Sequence, residues 1–133
     1  MPYLLDKSKQ NQYAALKLFD TEKKYAPSVH CAYYSCIQMM IHVLIAKGGK
    51  TEAQIDSDTQ NQSSHKYFIR ETENLLKQKS PAEVLKFSAI KNLQQFRVRS
   101  DYKNKEITHD NCDEAIKIAD KINGILTKTF GIV

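Results

Sequence analysis

The sequence lacks tryptophan and contains few of the residues that interrupt helices. Among its 133 residues there are 4 glycines and 3 prolines, a composition that favours long helices over many short strands. No stretch carries a convincing strand pattern. Hydrophobic residues make up 41% of the chain, which is enough for one core, and the length is that of one domain spanning residues 1–133.

Cysteine is scarce as well. The three cysteines, Cys31, Cys36 and Cys112, form no Cys-x-x-Cys pair, and each lies in an apolar helical pattern. We predict that they are reduced core residues of a cytoplasmic protein. His30 and Cys31 are adjacent and no second pair of ligands has suitable spacing, so the sequence argues against a zinc site. We predict no metal and no cofactor.

A secretory signal pattern is missing from the first residues. The most apolar run, Val29 to Ala46, includes His30, Gln38 and His42. These polar residues favour a buried core helix over a membrane span, and we expect no contact with a membrane. His30 and His42 lie on this helix and are interpreted as structural.

Positive charge is concentrated in the middle of the chain. The formal net charge is +5, but residues 66–105 alone carry ten basic and four acidic residues, a net +6, and the rest of the chain carries −1. Such a segment attracts phosphates. A solvated lysine-rich surface is the simpler interpretation on charge alone.

Apolar residues at helical spacing predict five helices, at about residues 6–25, 27–47, 64–79, 81–100 and 110–129. Pro27 and the pair Gly48-Gly49 bound the second helix, which is expected to form the centre of the fold. The polar residues 50–62 are interpreted as a mobile loop with room for one helical turn. We therefore predict an all-α, antiparallel up-and-down bundle of four to five helices.

Helix ends and faces follow from the same pattern. Ser63 or Ser64 is expected to cap the third helix, and Thr108 or Asp110 the last one. The fourth helix is expected to bury Leu85, Ala89, Leu93 and Phe96.

The end of the fourth predicted helix places two arginines, an acid and a tyrosine within six residues, from Arg97 to Tyr102. Arg97 and Asp101 are four residues apart, so they share a helix face and are expected to form an ion pair. The simplest interpretation is an exposed pair that contributes about 0.3–0.5 kcal/mol, with Tyr102 packed at the helix end.

Histidines at two other positions border predicted helices. His65 opens the third helix after a loop and is followed by Lys66 and Arg70, where a helix N-terminus favours anions. A capping-turn histidine without a ligand is an equally open alternative. His109 lies beside the cap of the last helix and is interpreted as a polar loop residue. No histidine follows an arginine at close helical spacing.

Three separated blocks together resemble one family. They are Ala32-Tyr33-Tyr34-Ser35, Ser64-His65-Lys66 and Arg97-Val-Arg-Ser-Asp101-Tyr102. In their order and spacing, over about residues 10–128, they resemble the HEPN family (nucleotide-binding domains of higher eukaryotes and prokaryotes), in particular its small stand-alone bacterial and archaeal members with an Arg-x-x-Ala/Ser-Asp-Tyr signature.

The resemblance implies a HEPN-like helical bundle that forms a homodimer, with the two signatures facing a shared cleft. It also implies an RNA or a nucleotide as ligand and a role in a toxin–antitoxin, defence or stress system, often beside a minimal nucleotidyltransferase. Catalytic members of the family carry Arg-x4–6-His. Counted from Arg97, those positions hold Tyr102, Lys103 and Asn104, so whether the chain is an enzyme stays undecided.

Three hypotheses follow from the residues and the resemblance. In the first, a binding module contacts phosphate through Arg97, which Asp101 orients, while Tyr102 stacks or donates a hydrogen bond. Further ligand-binding candidates are His65, Lys66, Arg70 and Lys103. In the second, a ribonuclease-like toxin uses Arg97 with Tyr102 or His65 as catalytic residues. In the third, the chain is a protein-interaction partner of a minimal nucleotidyltransferase or another antitoxin protein.

Overall fold

The structure is a computed structural model that describes residues 2–133, and within this range it is all-helical, without strands. Its helices are α1 (Pro2–Asp20), α2 (Tyr25–Ala46), α3 (Glu52–Asp58), α4 (Ser64–Lys79), α5 (Val84–Phe87), α6 (Ile90–Tyr102) and α7 (His109–Phe130). A 3-10 turn, Pro81–Glu83, leads into α5. The prediction of an all-α fold is confirmed, and the five long helices predicted correspond to α1, α2, α4, α5 with α6, and α7.

Helix α2 is the centre of the bundle. Six of its apolar side chains are completely buried: Val29, Tyr33, Cys36, Met40, Val43 and Leu44. By length and mean hydropathy, 1.4 over its most apolar window, α2 is the one described helix that could cross a membrane. Core helices pass the same test, and 56% of that window is buried inside the fold.

Small polar side chains fix α1 and α7 against α2. Ser8 donates to the carbonyl of Ser35 over 2.7 Å, and Ser28 donates to the carbonyl of Ala15 over 2.7 Å. The amide of Asn123, on α7, donates to the Ser35 hydroxyl over 3.0 Å. Because these groups are buried, each bond satisfies a donor that would otherwise be costly, and together they set the register of the three helices.

The helices do not alternate strictly in direction. Helix α1 runs antiparallel to α2, as the Ser8–Ser35 and Ser28–Ala15 bonds require. Helix α4 runs parallel to α2, because His65 contacts the first half of α2 and Leu75 lies against Gly48 beyond its end. The segment containing α3 carries the chain back along the bundle. The fold thus departs at this connection from the up-and-down arrangement predicted.

This arrangement defines two ends of the bundle. Helix α7 also runs parallel to α2, since the ring of its first residue, His109, lies 5.8 Å from that of Tyr25, and the Sγ of Cys36 lies 3.6 Å from the carbonyl of Ala119. Helices α2 and α7 therefore begin at one end, which we call the front end, where α6 terminates; α4 begins on the same half of the bundle, level with Tyr33 of α2. The opposite end, where α2, α4 and α7 terminate, is the back end.

The first two helices differ from the predicted bounds. Helix α1 ends at Asp20 rather than near residue 25, and Lys23 adopts a left-handed backbone with φ of 52°. Helix α2 starts at Tyr25, so Pro27 lies in its first turn, where a missing amide hydrogen costs nothing.

Residues 50–62 are packed onto α4, whereas the sequence suggested a mobile loop. Thr51 caps α3 by accepting a hydrogen bond from the amide of Gln54, and Ile55 is buried. Asp58 then accepts a hydrogen bond over 2.8 Å from the hydroxyl of Tyr67, on α4. A single helical turn was allowed for in this stretch, but its attachment to α4 depends on contacts that local sequence does not reveal.

The predicted helix 81–100 is broken. Helix α5 ends at Phe87 and α6 starts at Ile90, and both of these side chains are fully buried. The break changes the register, so Leu85 is 82% exposed although it was expected in the core. Leu93 is buried as expected.

Two of the predicted caps are confirmed. The Ser63 hydroxyl accepts a hydrogen bond from the Lys66 amide at the start of α4. Thr108 and Asn111 form a reciprocal capping box at the start of α7.

The burial predicted for the cysteines holds for two of them. Cys36 and Cys112 are fully buried, and Cys31 is half-buried. All three are free thiols. Burial raises the pKa of Cys36 to about 12, so this thiol behaves as an inert core residue.

Candidate functional site

Three tyrosines surround the guanidinium of Arg97 at the front end. The Nη2 of Arg97 donates to the Tyr34 hydroxyl over 2.9 Å and to the Tyr102 hydroxyl over 3.1 Å. The ring centroids of Tyr33, Tyr34 and Tyr102 lie 5.6, 5.4 and 5.0 Å from its Cζ. We call Arg97, these tyrosines and Asp101 the arginine cluster. Ring faces attract a cation, so the cluster holds the charge of Arg97 in one place.

Asp101 fixes the guanidinium from a fourth side. Its Oδ2 lies 3.1 Å from the Nε of Arg97, as the spacing of four residues predicted. The contact is an ion pair rather than a directed hydrogen bond, because the Nε–H makes no hydrogen bond of acceptable geometry. The two side chains are only 14% and 18% exposed, so the pair is more than the exposed surface contact of the simplest interpretation. Tyr102 is itself 68% exposed rather than packed away.

His30 lies at this site and is not buried in the core, although α2 is the core helix. Its side chain is 48% exposed, its Nδ1 lies 2.9 Å from Oδ2 of Asp101, and its ring stacks on Tyr34 at 4.6 Å. A carboxylate only accepts, so Nδ1 carries the hydrogen and Nε2 is the ring nitrogen left for a ligand. The sequence did contain one signal, because His30 precedes Tyr34 by four residues on the same helix face.

His65 reaches the other side of the cluster from the first turn of α4. Its Nδ1 shares a hydrogen bond of 3.0 Å with the hydroxyl of Tyr33, and its ring lies 5.6 Å from that of Tyr34. Burial, and then the charge of Arg97, lower the pKa of His65. Burial also raises the pKa of Tyr33. The imidazole of His65 is therefore neutral near neutral pH, as an acceptor or a base requires.

The N-terminus of α4 adds positive potential beside the cluster. His65 is the second residue of α4 and contacts Tyr33, so the amides of this first turn bring a partial positive charge to the cluster. The first turn of α4 contains no acidic residue, whereas that of α7 contains Asp110. The front end is therefore suited to an anion.

A basic groove of about 650 Å³ runs beside the cluster, between α4 and the end of α6. It is lined by Lys66, Gln94, Gln95, Val98, Arg99, Lys103 and Lys105. A smaller depression of about 350 Å³ shares Lys66 and Gln94 with it and adds Arg70, Lys91, Ile69 and the carboxylate of Glu73. The predicted residues Lys66 and Lys103 are thus brought together, with Arg70 next to them. Sequence reasoning missed Arg99 and Lys105 as groove residues, because the charge run alone gave no reason to select them.

The two remaining histidines lie outside the cluster. His42 is half-buried more than three turns further along α2 than His30. His109 is the first residue of α7 rather than a loop residue, and its ring packs on Phe19 at 4.8 Å. Among residues 2–133, no group of three or more histidine, cysteine, aspartate or glutamate side chains converges as metal ligands do. The site offers cations, hydroxyls and imidazoles, which suit a phosphate.

No family model, no curated protein and no solved structure matches this chain. Its function is therefore inferred from the residues of the cluster and the groove.

Acid is expected to destabilise the protein partly through His65. Because the pKa of His65 is lowered in the folded state, the unfolded chain binds the proton first as the pH falls through about 6.5. The stabilisation is complete above that pH and is lost below it. Urea unfolding at about pH 7.5 and at about pH 5.5 measures this loss. Between these two pH values, the free energy of unfolding should fall more for the wild type than for His65→Gln. An equal loss in both proteins would contradict the lowered pKa.

Proposed function

We propose that the chain is a HEPN-type module that binds an RNA or a nucleotide through its phosphate at the arginine cluster. One observation carries the proposal. Arg97 is held by Tyr34, Tyr102 and Asp101, while its Nη1 makes no hydrogen bond to any described residue. A fixed, charged donor with one face unused is preorganised for a phosphate, because little further entropy is lost on binding.

Each neighbour has a role in this proposal. Asp101 orients Arg97, and the exposed ring of Tyr102 stacks on a base or ribose. Lys66, Arg99 and Lys103 in the basic groove attract and hold the rest of a polyanion. The HEPN resemblance adds a cytoplasmic homodimer in which two clusters face one cleft, and a role in a toxin–antitoxin, defence or stress system. A minimal nucleotidyltransferase or another antitoxin protein would then be the protein partner.

Filter binding tests the proposal directly. Labelled total RNA and labelled ATP are each incubated with the protein in EDTA, over a series of salt concentrations. We expect the ligand to be retained and the retention to weaken as salt is added. For a single strand, the logarithm of the association constant should fall against the logarithm of the salt concentration with a slope of about −0.7 per neutralised phosphate. Retention of neither ligand at low salt would refute the proposal.

A ribonuclease is the second candidate, and the position of the histidines favours it. The chain lacks Arg-x4–6-His, but α2 and α4 bring His30 and His65 to the same arginine. In metal-independent cleavage, a base removes the proton of the 2′-hydroxyl, whose oxygen attacks the adjacent phosphate. The 5′-oxygen then leaves with a proton from an acid, giving a cyclic phosphate. His30, held by Asp101, is placed to serve as one of these two groups, and His65 as the other.

His30→Gln separates the two candidates. If the chain is a ribonuclease, wild-type protein should cleave labelled RNA in EDTA, and the variant should do so about 10²–10⁴ times more slowly while retaining RNA. Retention of RNA by the wild type without turnover, in either EDTA or magnesium, would eliminate the enzyme and leave the binding module.

A further inference from the structure

A second groove lies at the back end of the bundle, away from the arginine cluster. It has a volume of about 710 Å³ and is formed by the end of α4, residues 81–87 and the second half of α7. Its lining includes four lysines, Lys79, Lys86, Lys121 and Lys128, but only one carboxylate, that of Glu83. We call it the lysine groove.

The four lysines are not neutralised within the fold. None of them forms an ion pair with another residue of the part described, whereas Lys50 pairs with Glu71 and Lys117 with Asp113. Lysines near helix C-termini also complement the helix dipole, which explains Lys79 and Lys128. Lys121 lies inside α7, and that explanation does not cover it. The groove therefore presents a net positive charge to an incoming partner.

An exposed leucine accompanies this charge. Leu85 is 82% exposed; it does not line the groove itself but flanks it, because it lies between the lining residues Glu83 and Lys86 in the sequence. Leucine at this exposure costs hydration, and a partner with an apolar side chain would remove that cost. Positive charge next to an apolar side chain matches an amphipathic acidic peptide.

The lysine groove lacks the planar groups that recognise bases. Neither arginine nor an aromatic ring lines it, so it lacks the planar groups on which bases stack. At Gly124, an added Cβ would meet nothing within 4 Å, so a bound backbone could approach α7 closely there.

We propose that the lysine groove docks an acidic segment of a partner protein. Its carboxylates lie among Lys79, Lys86, Lys121 and Lys128, and one of its apolar side chains packs on Leu85. The surface is separate from the arginine cluster, so docking and binding at the front end are independent.

Fluorescence anisotropy with a labelled peptide of alternating glutamate and leucine tests this proposal at low salt. Gly124→Glu places a carboxylate within reach of Lys121 and Lys128, and the helix tolerates it because glutamate has the higher helix propensity. We expect it to weaken peptide binding about tenfold, as the double variant Lys121→Gln/Lys128→Gln should. Leu85→Ser should remove the preference over a peptide of alternating glutamate and serine.

Matched controls define the specificity. Gly124→Ala fills the same open space without charge and should bind the peptide as the wild type does. Lys7→Gln/Lys9→Gln removes the same charge from exposed positions on α1 and should also leave binding unchanged. Arg97→Lys should also leave peptide binding unchanged. Because the same variant is expected to weaken RNA or nucleotide binding, failure of this proposal can be told from failure of the proposed function.

Three outcomes would overturn the proposal. If the groove variants and the α1 control lose the same affinity for the peptide, the binding is non-specific charge attraction. If oligouridylate displaces the peptide, and the groove variants lose more affinity for oligouridylate than for the peptide, the groove is a nucleic-acid surface. A change of sedimentation coefficient in these variants without peptide would make a second copy of the chain the occupant.

Discussion

Arg97→Lys is expected to weaken the binding of RNA or nucleotide about tenfold to a hundredfold, although it preserves the charge. A hydrogen bond to a charged group is worth about 1.5–3 kcal/mol, which corresponds to that range. Lysine has one nitrogen, which cannot engage Tyr34, Tyr102 and Asp101 and still present a separate donor to a phosphate. The measurement is the dissociation constant from filter binding, at a fixed salt concentration.

Arg99→Lys is the matched control for this prediction. Arg99 belongs to the same helix and lines the basic groove, but among the residues that the structure describes its one ring contact is with Phe96, at 5.9 Å. Arg99 contributes positive charge rather than a donor held in a fixed orientation. We therefore expect its replacement by lysine to change the dissociation constant by less than about threefold. The dependence of the affinity on salt concentration should be preserved in both variants. Equal effects of the two substitutions would mean that the cluster does not recognise phosphate and that only the total charge matters.

How much of the site was predictable depends on the sequence distance between its parts. The ion pair of Arg97 and Asp101 follows from a spacing of four residues, so the sequence was sufficient for it. His30 is 71 residues away from Asp101, and its contact exists only because α2 and α6 pack together. The apolar pattern assigned His30 to a core helix, but it did not show that the side of α2 carrying His30 contacts α6.

The fold shows the same division. Helices α2 and α7 carry uninterrupted apolar patterns, and the sequence located both to within a few residues. The parallel course of α4 and the anchoring of α3 are set by tertiary contacts such as the bond between Tyr67 and Asp58, which local propensity does not encode. The break between α5 and α6 leaves Leu85 exposed and buries Phe87, and it therefore offers a quantitative test of the packing.

Phe87→Ala is expected to lower the free energy of unfolding by about 3–5 kcal/mol, because it removes a fully buried ring and leaves a cavity. Leu85→Ala, two residues away on the same four-residue helix, should change it by less than about 0.5 kcal/mol, because Leu85 is 82% exposed. Both values are measured by urea unfolding at one pH. The opposite result, with Leu85→Ala the more damaging, would mean that one unbroken helix covers residues 81–100 and buries Leu85, as the sequence pattern alone suggested. The contrast thus reports which of the two side chains, Phe87 or Leu85, the break between α5 and α6 buries in the core.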